Sequence, residues 1–430
     1  MTAVVGILNK QAVAIAADSA VTIGGNNGRK IFNKANKLFT LSKEHPVGIM
    51  IYNSASFMGT PWETLIKVYR HQLRDRSFPT VREYQADFIE FIRLKNFYTT
   101  SDLQTEFLEN FALNIINAVV EDIAKNYSAL IDNPTPENQA LFIQQLELQI
   151  DNLILGWNQN SDYCPEFIDY TFEMFDSYSN DIFNQINQIR FVQNGLGISS
   201  ELLLKIKQAV FAVLRAKESL TSFTGLIFTG FGEDEIYPQL IPANISMVVD
   251  NRLRFYIDDN RIASISNVHN GAVRPFAQTD VIDTILSGID PTLDDIYLNN
   301  FESSFKKYNQ IILANIGDTN PLLTQQIQNL GVDAIVSELN IQNQQIKREK
   351  YINPLMNAVS NLAKEDLAEM AESLIYLTYL KRRITFAEES VGGPVDVAVI
   401  SKGDGFVWIK RKHYFRPELN QHFFDNYFKK

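Results

Sequence analysis

Apolar and polar residues alternate with two different periods along this chain, and the changes of period divide it. At the start, Thr2-Ala3-Val4-Val5-Gly6-Ile7 and Ala12–Ala17 are short apolar runs separated by the polar Asn9-Lys10-Gln11. Short runs bounded by turn residues predict two strands in a hairpin, the second ending in Asp18-Ser19. A glycine-rich loop (Gly24, Gly25, Gly28) leads to a third strand candidate, Lys30–Leu41, which carries three lysines. Val47–Tyr52, Thr224–Gly232, Ile236–Leu240 and the pair Ile245–Val249 and Leu253–Ile257 predict further strands. Ser390–Ile409 reads as a hairpin around Gly403-Asp404-Gly405. Two long stretches, about 61–219 and 281–385, have helical spacing instead, as in Phe107, Leu108, Phe111, Ile115, Ile116 and Val119.

The chemistry of interest begins at the second residue. A small residue after Met1 normally allows removal of the initiator, so the mature chain is expected to begin at Thr2. An N-terminal threonine carries a hydroxyl nucleophile and a free α-amine, whose pKa of about 7.7–8.0 suits it to take the hydroxyl proton. The hairpin brings Asp18 back to the level of Thr2, on a strand about 4.8 Å away. A threonine nucleophile also gains from a nearby ammonium held by a carboxylate, and Lys30, Lys34 and Lys37 lie in the following segment.

Together these residues resemble proteasome β-subunits and the peptidase subunit of the bacterial ATP-dependent proteasome-like protease. The match rests on Thr2, on Ala16-Ala17-Asp18-Ser19, and on Asn36-Lys37-Leu38-Phe39-Thr40-Leu41. The spacing from Thr2 to Asp18 is the family's, while Lys37 lies a few residues late and Lys34 competes for its place. The resemblance implies Thr2 as nucleophile, Asp18 and Lys37 as its charged partners, and Thr22 as a residue whose backbone pairs with substrate. Where the family has a Gly-Gly oxyanion turn, this chain has Asn53-Ser54. A backbone N–H survives that replacement, but glycine's torsional freedom does not. Aligning Gly392-Gly393 with the family's late glycine pair puts Glu388 at its acidic position and Val391 at its serine. Gln278 or Thr279 stands where the family has a further serine.

The implied fold is α+β, a four-layer αββα sandwich of two antiparallel sheets with enlarged helical layers, in a single domain spanning 1–430. The implied activity is hydrolysis of a peptide or other amide bond without a cofactor. A small-molecule amidohydrolase of the same fold and a catalytically inactive scaffold subunit are the alternatives. A homo-oligomer and an ATP-driven partner are further expectations of the resemblance.

Composition fits this picture. The 430 residues are 45% hydrophobic and 21% charged, ample for a large core. A net charge of −11 argues against nucleic acid or an anionic membrane as partner, and no apolar run is long enough to span a bilayer. Cys164, the single cysteine, suits a reducing cytoplasmic setting. The five histidines are scattered, so no metal site is expected. The basic segment Ile409–Phe415 reads as a solvated strand edge.

Overall fold

Asn9 makes the first hairpin. In the computed structural model its Oδ1 accepts from Gln11 N (2.9 Å) and Ala12 N (3.2 Å), the side-chain turn for which asparagine is favoured. Its Nδ2 donates to Val359 O (3.1 Å) and Leu362 O (2.9 Å), tying the turn to the C-terminal half. The flanking strands are β1 (Ala3–Asn9) and β2 (Ala12–Ala17), with Val4 opposite Ala17 and Leu8 opposite Val13. The structure describes residues 2–25, 28–32, 34–94, 98–133, 135–160, 162–219, 222–316, 332–385, 391–413 and 415–428.

The chain continues through β3 (Val21–Gly25), β4 (Gly28–Phe32), β5 (Leu38–Thr40), β6 (Val47–Asn53), β7 (Ser56–Phe57) and β8 (Thr60–Pro61). Later come β9 (Thr224–Gly230), β10 (Gln239–Val249), β11 (Arg252–Ile257), β12 (Ala263–Ser264), β13 (Gly271–Ala277), β14 (Asp396–Ser401) and β15 (Gly405–Lys410). The fold is α+β. One antiparallel sheet has the order β13-β1-β2-β14-β15 and the other β11-β10-β9-β6-β5, with β12 beside β10; β3-β4 and β7-β8 are separate ribbons.

Side-chain alternation assigns the faces. Val4 and Leu8 of β1 meet Met50 and Tyr52 of β6 and Leu240 of β10 in one buried cluster between the sheets. The alternate residues Ala3, Val5 and Ile7 pack on Leu367, Ala371, Leu374 and Ile375 of the helix Lys364–Ile384. On the second sheet Val47, Ile49 and Ile51 pack instead with Trp62, Leu65, Ile66 and Phe88 from the helices Trp62–Leu73 and Val81–Leu94. Burial on both faces explains why β1 and β2 read as unbroken apolar runs. The sheets approach closely at Gly6, where a Cβ would stand 2.5 Å from a Leu240 methyl, and glycine is what permits this.

Three expectations need correction. Lys30–Leu41 is two strands, β4 and β5, because the chain leaves the ladder between them and Ala35 N bonds Ser19 O (3.1 Å). Ile236–Leu240 and Ile245–Val249 do not form separate strands. Gln239–Val249 is continuous, crossing Pro242 and absorbing a register shift between Ile245 and Val248. The segment after β15 is not a solvated edge throughout, since the Lys412 side chain is only 11% exposed and pairs with Asp396. Among the described residues no helix is long and apolar enough to cross a membrane.

Candidate active site

Asp18 is the hub of the site. It follows β2 directly and is 1% exposed. Its Oδ1 accepts from Ala3 N (3.0 Å) and Lys37 Nζ (2.6 Å); its Oδ2 accepts from Ala20 N (3.1 Å) and Gly392 N (3.0 Å). Asp18 N donates in turn to Ala3 O (3.2 Å), so the carboxylate is locked to the first residue of β1 from both sides. Four donors on one buried carboxylate satisfy its charge as fully as its geometry allows.

Lys37 precedes β5 and is 3% exposed. Besides Asp18 it donates to Ala20 O (2.6 Å). Burial pulls the Lys37 ammonium below its ordinary pKa, against the opposing pull of Asp18. Lys34 is exposed, so the lysine brought to Asp18 is Lys37. Thr2 is 3% exposed, and its carbonyl accepts from Gln278 N (3.0 Å). Lys37 Nζ and the N–H of the residue after Thr2 therefore share one carboxylate oxygen.

The register brings the Asn53 turn to the same end of the sheets. Ile51 N donates to Lys37 O (2.9 Å), and Asn53 follows two residues later at the end of β6. Asn53 has φ 66°, the left-handed conformation that glycine adopts freely and asparagine tolerates best among the others. Asn53-Ser54 thus keeps a glycine-like turn without a glycine. The Ser54 hydroxyl donates to Ser56 O (2.8 Å) and is exposed, while Ser54 O accepts from Thr224 Oγ1 (3.3 Å). Asn53→Gly is expected to leave stability unchanged or slightly raised, and Asn53→Ala to lower it by about 1 kcal/mol. Urea titrations of the two variants check this, and equal stability would contradict it.

Thr22 sits in β3 opposite Ile31, and its side chain lies outside the described residues, as does Glu388. Val391, aligned with the family serine, is buried against the helical face and brings no hydroxyl. Of the two candidates for the other serine, Gln278 touches Thr2 through its backbone; Thr279 precedes the helix Asp280–Ser287 and makes no side-chain cap bond.

No protein-family model and no curated protein sequence matches this chain. Among solved structures it is similar to the Anbu (Gly-1) mutant from Hyphomicrobium sp. strain MC1, with 9% identity over 99% of this chain and 94% of that one and a TM-score of 0.26.

Sequence reasoning missed several members of the site because they act through backbone atoms. Gly392 N and Ala20 O leave no residue-type signature, and Gln278, singled out for its side chain, meets Thr2 through its backbone N–H instead. The one available signal was the Gly392-Gly393 pair itself. Ala277, beside Gln278, adopts φ 64°, which is strained for alanine.

Proposed function

We propose that this chain is a threonine-type N-terminal nucleophile hydrolase of the proteasome-like class. The reading takes residues 1–430 as one domain, a four-layer αββα sandwich with enlarged helical layers at about 61–219 and 281–385. The observation that supports it most is the buried Asp18–Lys37 pair bonded to Ala3 N, which fixes a charge constellation beside Thr2.

With Met1 removed, Thr2 Oγ attacks the amide carbonyl carbon while the Thr2 amine takes its proton. That proton passes to the departing nitrogen as the C–N bond breaks, leaving an ester on Thr2 that water hydrolyses. Lys37 supplies positive charge that favours deprotonated forms nearby, and Asp18 holds Lys37. A backbone N–H of the Asn53-Ser54 turn stabilises the oxyanion, an interaction worth about 2.7–4 kcal/mol where one has been removed. Thr22 offers backbone to the substrate, and Glu388 adds negative charge to the site. The chemistry calls for no cofactor or metal. A cytoplasmic location, a homo-oligomer and an ATP-driven partner complete the reading.

Intact-mass measurement tests removal of Met1, and a β-lactone or peptide vinyl sulfone tests labelling of Thr2. Parallel rates on fluorogenic peptides and small acyl amides decide the substrate class. Retained Met1 with no labelling would instead support an inactive scaffold.

A further inference from the structure

A second Asp–Lys pair, with its carboxylate buried and its lysine largely so, stands beside the first, and the proposed chemistry does not use it. Asp396 opens β14 directly opposite Ala17, the residue before Asp18, and is 3% exposed. Its Oδ1 accepts from Lys412 N (2.8 Å) and its Oδ2 from Lys412 Nζ. The residues just beyond β15, continuing the hairpin in which Val397 lies opposite Lys410, thus clip the start of β14.

That start is where the loop carrying Gly392 ends. Gly392 N donates to Asp18 Oδ2, Gly392 O accepts from Ser19 N (3.0 Å), and Pro394 O accepts from Ser19 Oγ. The clip at Asp396 therefore anchors the loop that helps hold Asp18.

We propose that Asp396 and Lys412 are positioning residues for Asp18 and, through it, for Lys37, fixing the Gly392 loop on the Asp18 carboxylate. The inference rests on the hydrolase reading for its purpose, but its geometry and its test do not. Asp18 from the end of β2, Asp396 from β14 and Lys412 from the segment after β15 act on Lys37, and in the mature chain of the hydrolase reading the Thr2 α-amine adds a further cation common to every variant compared. Lys412 repels the protonated form of Lys37 and Asp396 attracts it, so the two neighbours act in opposite senses.

The test is the titration of Lys37 Nζ in selectively labelled protein, its resonance assigned by loss in Lys37→Arg. Lys412→Gln removes a cation while keeping a hydrogen-bond donor, and should move the midpoint up by roughly half to one unit. Asp396→Asn should move it down by a similar amount, and Lys412→Arg should leave it near wild type. In the doubly substituted chain the shifts should largely cancel. The pH profile of Thr2 labelling should follow the same directions. Midpoints that do not move, or move the same way in both single variants, overturn the proposal, as does loss of the fold in both. A wild-type chain that is not labelled would sink the hydrolase reading, while the Lys37 titration would still decide this one.

Discussion

A Thr2→Ala chain is expected to lose labelling by a β-lactone probe by at least about 10³-fold while remaining folded, its unfolding midpoint only modestly lowered. The two halves of this expectation come from different atoms. Thr2 is held in the fold through its carbonyl, which accepts from Gln278 N, and through the neighbouring Ala3 N–H on Asp18; alanine preserves both. Only the hydroxyl and one methyl are lost, although from a buried position, a change worth about 1–2 kcal/mol. The hydroxyl is, however, the whole of the proposed nucleophile. Thr2→Ser keeps hydroxyl and amine and should retain measurable labelling, reduced because serine's hydroxyl is less restricted in rotation. A Thr2→Ala chain that still reacts would remove Thr2 from the mechanism, whatever the state of Met1.

The parts of the fold legible in the sequence are those where local pattern and tertiary environment agree. β1, β2, β6, β9 and β14 are covered on both faces and read as apolar runs, and the Asn9 turn carries its own side-chain mechanism. The pattern failed where hydrophobicity was continuous but the ladder was not. Between Phe32 and Leu38 the chain detours to bond Ser19, and this detour presents Lys37 to Asp18. It failed the other way at Pro242, which looks like a strand break. β10 runs through it between β9 and β11, with Pro242 opposite Ile227 and its carbonyl accepting from Asp258 N (3.1 Å).

The candidate site was legible in its side chains and not in its backbone. Asp18 stands out by spacing and by the resemblance and Lys37 by the resemblance alone, in competition with Lys34, and the structure joins Asp18 to Lys37 directly. The replacement of a glycine turn by Asn53-Ser54 looked like a loss of torsional freedom, yet Asn53 takes the left-handed conformation the turn requires. Lys412 was unreadable because a run of basic residues gives no sign of which one turns inward. Its selection depends on Asp396, sixteen residues earlier, being fixed at the head of a strand.

Removing the two partners of the central pair is expected to have unequal effects on stability and equal effects on labelling. Asp18→Ala leaves Lys37 buried with only Ala20 O as acceptor and also strips a partner from Ala3 N, Ala20 N and Gly392 N. Uncompensated buried charge of this kind costs about 3–5 kcal/mol. Lys37→Met removes the cation but leaves the Asp18 carboxylate with its three backbone N–H donors, so the loss should be nearer 1–2 kcal/mol. Both variants should lose nearly all labelling, because the three groups act as a unit. Stability also gains a dependence on pH from Lys37. Its folded pKa lies below the unfolded one, so the unfolded chain binds the proton more tightly and this contribution to stability rises as pH climbs toward the ordinary lysine range. The difference in unfolding free energy between wild type and Lys37→Met should therefore shift in favour of wild type as the pH is raised from 7 toward 9.5. Comparing the two chains cancels the tyrosines that titrate higher. A Lys37→Met chain as unstable as Asp18→Ala would mean that the carboxylate is no more the structural centre of the site than the cation is.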